Sequence, residues 1–308
     1  MIRGLISIGT NTTRLLVAKM EPDGSVQQLE QRQTGTRLGE GLREGGLLAP
    51  AAIERTIAAV TEFTAVAREY GAALASIATS AVRRASDGAA FGSRMRDVTG
   101  VPLEVIPGRD EAEASFRGAT YGVPHDGLRV AVVDVGGGST ECAVGCDGRL
   151  DDARSIEIGS VRVAERYPAL TGGSPGARAH AAAALARADI AEVLAPFAAL
   201  GLPAQVRCVA GTPLTIGAIH LRSHVDAVSG TTLSRADLDA AIARLLDATR
   251  VERRAMPGML PQRADILAAG ALVLSESLRL LGADAAVLES NDLLLGYLLL
   301  AQERAEAE

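Results

Sequence analysis

The chain has 308 residues, a formal net charge of −6, 48% hydrophobic and 22% charged residues, 3% aromatics and no Trp. That length supports two domains with cores of their own, and the balance fits a globular protein. The same figures argue against a general nucleic-acid or membrane-surface binder and leave no aromatic platform for stacking bases.

Lys19 is the only lysine among 31 basic residues, which essentially excludes a phosphate-loop lysine or a lysine nucleophile. A phosphate must then be met by Arg, backbone N–H groups or metal. Three cysteines (Cys142, Cys146, Cys208) are too few for a disulfide framework or a zinc site and read as reduced residues of a cytoplasmic protein. No run approaches the roughly 18 apolar residues of a membrane span, and the N-terminal apolar run is too short for a signal peptide.

In chain order, Leu5 to Ile8 reads as a strand, broken by Gly9-Thr10-Asn11-Thr12, with Thr13 to Met20 returning and Val26 to Leu38 as a third strand. The hydroxyls and amide of Thr10, Asn11 and Thr12 suit phosphate oxygens, with Arg14 following, although a plain hairpin turn accounts for the segment equally well. Pro50 opens an amphipathic helix to about Tyr70. A strand from Leu74 to Ala78 leads to Thr79-Ser80-Ala81-Val82-Arg83. A helix from Asp87 to Thr99 and a strand from Leu103 to Ile106 follow. After Pro107-Gly108, a helix opens on Arg109-Asp110-Glu111 and reaches about Tyr121. Acids are common in a first helical turn because the helix dipole favours them, so the spacing alone assigns Glu111 no role.

Gly122 to Gly127 is the expected hinge, giving domains 1–123 and 124–308. The second begins with Val130-Ala131-Val132-Val133-Asp134, a turn at Gly136, Gly137, Gly138 and Ser139, and a returning strand from Glu141. Glycines let the backbone approach a ligand closely, and successive N–H groups in such a turn can cradle an anion. Asp134 and Glu141 on the two arms would point at one region, which suits a divalent cation beside a phosphate. The competing reading is a glycine-rich hairpin with solvated acids. Arg154 to Ile158 continues the sheet. An Ala-rich helix from Ala177 to Ala198 precedes strand Gln205 to Val209, which runs into Ala210-Gly211-Thr212, with a helix starting at Pro213 or Leu214. Such a junction offers free N–H groups to an anion. Helices from Ser234 to Thr249, Ala264 to Leu281 and Asn291 to Glu303, with a strand from Ala286 to Glu289, complete the chain. His220 and His224 lack a third ligand, and a surface or capping role outweighs a shared metal.

Six strings in order resemble the exopolyphosphatase and guanosine-pentaphosphate phosphatase (Ppx/GppA) family. They are Ile8 to Leu16, Thr79 to Arg83, Gly108 to Ala112, Asp134 to Glu141, Ala210 to Thr212, and Arg263-Ala264-Asp265 leading to Ala269-Gly270-Ala271. The length is similar to that of the short, two-domain members. The resemblance implies an α/β chain of two actin-like (ribonuclease H-like) domains, each a mixed sheet flanked by helices, with an interdomain cleft. It further implies a cytoplasmic hydrolase of terminal phosphoanhydrides, acting on inorganic polyphosphate, with guanosine pentaphosphate as the alternative substrate. A weakly active polyphosphate- or alarmone-binding sensor is a third reading, and a homodimer is a family-level expectation. By the same resemblance Glu111 activates water, and Asp134 and Glu141 hold Mg²⁺ or order the water. Thr10, Asn11, Thr12, Gly136 to Ser139, Gly211 and Thr212 would cradle phosphates, and Arg14, Arg83 and Arg263 would neutralise them. The family's first motif starts with Asp where this chain has Ser7, and Asp110 stands for the usual first Glu of the pair, which leaves metal binding to Asp134 and Glu141.

Overall fold

The computed structural model describes residues 1–21 and 23–307. The chain forms two compact units, Met1–Asp110 with Tyr297–Glu308, and Glu111–Gly296. The expected hinge at Gly122 to Gly127 is therefore displaced. The reason is visible in the helix Gly108–Ala119: its buried Ala112, Phe116 and Ala119 pack with Val130, Val132 and Ala143 of the second unit's sheet. These apolar positions recur one helical turn apart, so one face of the helix belongs to that core.

In the first unit, β1 (Ile2–Ile8), β2 (Thr13–Met20) and β3 (Val26–Thr34) form an antiparallel meander. Helix α1 (Pro50–Glu69) starts with Pro at its first turn, where the missing N–H costs nothing. Then come β4 (Ala73–Ala78), α2 (Ser80–Arg84), α3 (Gly88–Thr99) and β5 (Leu103–Val105). The sheet order is β3-β2-β1-β4-β5, with β4 parallel to both β1 and β5. Ile6, Ile8, Leu15 and Val17 of the sheet bury against Ile57, Val60 and Phe63 of α1 and Phe91 and Met95 of α3. The third strand stops at Thr34 rather than Leu38, and the Thr79–Arg83 string closes into a short helix.

Helix α4 (Gly108–Ala119) leads to the second unit, whose meander is β6 (Arg129–Val135), β7 (Thr140–Cys146) and β8 (Arg149–Ile156). The elements α5 (Ser160–Arg166), α6 (Ala177–Val193), β9 (Gln205–Val209) and α7 (Gly211–Leu221) follow. The unit continues through β10 (Thr232–Ser234), α8 (Arg235–Asp247), α9 (Arg250–Arg254), α10 (Leu267–Leu280) and β11 (Ala285–Leu288), and α11 (Leu293–Ala307) ends the chain. The sheet order is β10-β11-β9-β6-β7-β8, with β6, β9 and β11 parallel. Both units thus repeat one plan, a three-strand meander whose first strand continues into a parallel, helix-connected half. This is the two-domain α/β arrangement of mixed sheets and helices expected from the sequence. Among the described residues no helix is long and apolar enough to cross a membrane.

Strand alternation in the second unit decides where its acids go. Ala131, Val133 and Val135 of β6, with Cys142 and Val144 of β7, enter the core that includes α6, α7 and α10. Val130, Val132 and Ala143 enter the smaller core with α4. Because side chains alternate with period two, Asp134 and Glu141 lie on the α4 side. Gly145 lies at the register shift between β7 and β8, and a Cβ there would lie 2.0 Å from Arg149 O and 2.6 Å from Phe116 Cζ. We expect Gly145→Ala to cost about 1–3 kcal/mol through this overpacking, read as a lowered urea midpoint in chemical denaturation; an unchanged midpoint would contradict the packing.

Candidate active site

The turn between β6 and β7 is built from close backbone contacts. Gly136 N donates to Ser139 O at 3.1 Å, and the carbonyls of Gly136 and Gly137 accept from Ser160 N (3.0 Å) and Val161 N (2.9 Å) at the start of α5. A Cβ on Gly159 would lie 2.6 Å from Gly137 C, so only glycine lets α5 approach this closely. The turn's carbonyls are thus engaged by α5, while the N–H groups of Gly137 and Gly138 have no protein partner among the described residues. Such a row of donors suits an anion.

Asp134 and Glu141 are direct register partners on β6 and β7. Directly opposed side chains in an antiparallel pair share one face. Helix α4 brings the third acid: Glu111, Asp134 and Glu141 are only 8%, 7% and 1% exposed. One turn beyond Glu111, the Ser115 hydroxyl donates to Asp134 Oδ2 at 2.7 Å. Ser155, opposite Glu141 on β8, donates to Glu141 Oε1 at 2.7 Å. Burial drives the Glu141 carboxyl well above the usual glutamate range, and the negative charges of Glu111 and Asp134 push it the same way, against hydrogen bonds from Ser155 and Ser139.

The chemistry of this donor set fits Mg²⁺, which takes one or two carboxylates and fills its octahedron with water and substrate phosphate oxygens. Mutual repulsion of Asp134 and Glu141 is relieved by a cation between them. Among the described residues no group of three or more His, Cys, Asp or Glu side chains is arranged to enclose a metal, so phosphate and water would have to complete the shell. His220 and His224 pair separately, with Asp237 (3.8 Å) and Asp226 (2.9 Å).

Strand β9 runs parallel to β6 with Val209 beside Asp134, so the junction to α7 lies at the same carboxyl edge of the sheet as the glycine turn. Helix α7 begins at Gly211 rather than at Pro213 or Leu214, which places Gly211 and Thr212 in its first turn. Their N–H groups have no intrahelical partner there. Thr212 Oγ1 is buried without a hydrogen-bond partner. A Cβ on Gly211 would lie 2.1 Å from Arg263 Cζ, so the Arg263 guanidinium lies directly on the Gly211 backbone. Ala210 has φ 74° and ψ 179°, a region almost reserved for glycine. That strain is stored where β9 turns into α7.

In the first unit, Gly9 N donates to Thr12 O at 3.0 Å to close the β1–β2 turn, and Arg37 N and Gly39 N donate to the carbonyls of Asn11 and Thr10. Thr10 and Asn11 are buried, and Asn11 Oδ1 has no partner. Arg14 pairs in register with the buried Ser7. Thr79 N donates to Ile8 O at 3.2 Å, which sets α2 and its Arg83 beside the end of β1. Arg83 Nη1 donates to Ile106 O at 3.1 Å. Thr10, Asn11, Thr12, Arg14 and Arg83 therefore gather at one edge of the first unit, and Glu111, Asp134, Gly136 to Ser139, Glu141, Gly211, Thr212 and Arg263 at one edge of the second. Sequence reasoning missed Ser115, Ser155 and the strained backbone of Ala210. Only Ser115 left a signal, its four-residue spacing from Glu111.

Comparison with known proteins accords with this architecture. A model of the Ppx/GppA phosphatase family matches residues 16–293. The chain belongs to the Ppx/GppA phosphatase family. It is 34% identical to a Mycobacterium tuberculosis protein named exopolyphosphatase 2, over 96% of each chain. It is 29% identical to exopolyphosphatase 1 of Mycobacterium bovis, over 92% of this chain and 83% of that one. The crystal structure of an exopolyphosphatase-like protein superposes with a TM-score of 0.89 at 31% identity, covering 99% of this chain and 100% of that one. An exopolyphosphatase from Cytophaga hutchinsonii also scores 0.89, at 26% identity over 99% and 98%. The fold of this family is actin-like, and its duplicated plan is the one traced above.

Two outcomes follow for this Ppx/GppA site. The folded protein keeps a proton on Glu141 over a range where the unfolded chain has lost it, so stability of the metal-free protein should fall as pH rises above about 4.3. We expect Glu141→Gln to flatten that fall; unfolding temperatures measured between about pH 4 and about pH 8 would show parallel curves if the acid carried no such cost. Ala210→Gly should raise unfolding free energy by about 1 kcal/mol, measured by chemical denaturation, whereas a loss would show that the strained backbone is not the cost assigned to it.

Proposed function

We propose that this phosphoanhydride hydrolase releases orthophosphate from the ends of inorganic polyphosphate chains, with Glu111 as the acid that activates water. The observation that carries the reading is the convergence of Glu111, Asp134 and Glu141, all buried, on the α4 side of a glycine turn whose N–H groups are open. The names of the relatives at 34% and 29% identity favour the same substrate class.

Phosphoryl transfer asks for positioning and charge neutralisation more than for covalent catalysis. In this reading the terminal phosphate rests on the N–H groups of Gly137 and Gly138, with Gly136 and Ser139 shaping the turn and Gly211, Thr212 and Arg263 receiving further oxygens. The orphaned Thr212 Oγ1 gains a partner when an anion arrives. Thr10, Asn11, Thr12, Arg14 and Arg83 would engage phosphates in the same way, and Asn11 Oδ1, an acceptor, would take a hydrogen bond from water or a protonated oxygen. Glu111 accepts a proton from water as the water oxygen attacks the terminal phosphorus. The bridging P–O bond breaks, the shortened chain leaves with the electron pair, and Glu111 later returns its proton to solvent. Asp134 and Glu141 would hold Mg²⁺, which when bound supplies charge neutralisation for the reacting oxygens. The cation would offset the repulsion that adds to burial in raising Glu141. A chain of net charge −6 binds a polyanion through such local compensation.

Orthophosphate release from long-chain polyphosphate with Mg²⁺ tests the reading, with guanosine pentaphosphate as the competing substrate. We expect Glu111→Gln to lower kcat about 10²–10⁴-fold with KM little changed. Equal rates for the two proteins would remove Glu111 from the mechanism. Preferential turnover of guanosine pentaphosphate would replace the substrate while keeping the site.

A further inference from the structure

Buried hydroxyls on helices commonly satisfy themselves on the carbonyl four residues back. Just past the end of α4, Thr120 shows the habit, its Oγ1 donating to Phe116 O at 2.8 Å. The buried Ser115 donates instead across to the sheet, to Asp134 Oδ2 at 2.7 Å. An aspartate carboxylate rotates in a broad torsional well, so a strong donor biases its plane.

The helix that carries this donor has little freedom to shift. Phe116 is fully buried between Ala112, Ala119 and the strand residues Val130, Val132 and Ala143. On the α11 side, a Cβ on Gly118 would lie 2.0 Å from Asp292 O, and one on Gly296 would lie 1.7 Å from Ala114 O. Backbone therefore meets backbone on either side of Ser115. Glu111 and Ser115, one turn apart on the same face, are carried together by this packing, with Ser115 directed at Asp134. Glu141 has its own donor in Ser155.

We propose that Ser115 is a positioning residue: its hydroxyl sets the rotation of the Asp134 carboxylate, so that α4 supplies both the water-activating acid and the clamp that aims its neighbour. The proposal rests on the reading of Glu111, Asp134 and Glu141 as a Mg²⁺-assisted hydrolytic site. Loss of the clamp leaves Asp134 in place and charged but without its helix-borne donor, which weakens cation binding and slows the chemical step without touching the residues assigned to the polyphosphate chain.

The test compares wild type with Ser115→Ala and with Ser115→Cys, which preserves volume but offers only a weak donor. Two quantities are read: the Mg²⁺ concentration at which the unfolding temperature of the substrate-free protein has risen half-way, and kcat and KM for orthophosphate release from polyphosphate. A hydrogen bond to a charged group corresponds to about a tenfold effect or more. The expected result is a Mg²⁺ midpoint about tenfold higher and a kcat about tenfold lower, with KM unchanged, in both variants. If Ser115→Ala fails to fold, Ser115→Cys carries the comparison. An unchanged Mg²⁺ midpoint and kcat, with only the metal-free unfolding temperature lowered, would reduce Ser115 to packing and overturn the proposal. A wild-type protein with neither a Mg²⁺-dependent rise nor orthophosphate release would sink the underlying site reading as well, an outcome distinct from failure of the Ser115 assignment alone.

Discussion

Three carboxylates buried within one corner of a sheet are a standing electrostatic cost, and the second unit is organised around containing it. Removing an ionised carboxylate from water without a partner is expensive, and placing like charges together adds to the penalty. Glu141 shows the consequence in a carboxyl pushed well above its usual range by burial and by Glu111 and Asp134. The surroundings answer with hydroxyl donors, Ser115 on Asp134 and Ser155 and Ser139 on Glu141. These orient the acids but bring no compensating charge. Carboxylates whose burial and like charge perturb their titration mark a candidate functional site.

The location of the cluster follows from the topology of the sheet. Strand β6 has antiparallel β7 on one side and parallel β9 on the other. At its carboxyl end it therefore meets a tight hairpin and a strand-to-helix junction at once. The hairpin contributes two opposed acids and a run of open N–H groups; the junction contributes the start of α7, with Gly211, Thr212 and the overlying Arg263. Ligands of open α/β sheets gather at carboxyl ends where neighbouring connections diverge. The same logic holds in the first unit, where β1 lies between antiparallel β2 and parallel β4 and gathers the β1–β2 turn and Arg83 at one edge.

Close backbone approach is the second recurring device. Gly159 lets the first N–H groups of α5 donate to the turn's carbonyls, which leaves the turn's own donors outward. Gly270 makes room for Thr212, since a Cβ there would lie 2.8 Å from Thr212 Oγ1. Ala210 is the exception that pays a conformational cost, a side chain in a backbone region nearly closed to it. The strain sits where the chain must turn sharply from β9 into α7, next to the buried, partnerless Thr212 hydroxyl.

Much of this was readable from residues alone. The glycine turn between two β-prone arms implied a hairpin, and the hairpin placed Asp134 opposite Glu141, because a short turn leaves little freedom of register. The strand–turn–strand repeat near Gly9 and near Gly136 carried the two-unit α/β plan, and the order of motifs carried the family. The unit boundary was not readable, because the Gly122 to Gly127 turn resembles a linker while the packing of α4 against β6 and β7 is long-range. Short elements such as α5 and β10 left no periodic signal. Ser155 reaches Glu141 only through a β7–β8 register that includes a bulge near Gly145, and no local rule sets that shift. Ala210 contradicts its own backbone propensity, so only surrounding contacts could hold it there. Sequence by itself determined which acids lie on which elements, since strand and helix periods are local. Tertiary structure alone decided which hydroxyl meets which carboxylate and how deeply the charges are buried, because those depend on packing between segments far apart in the chain.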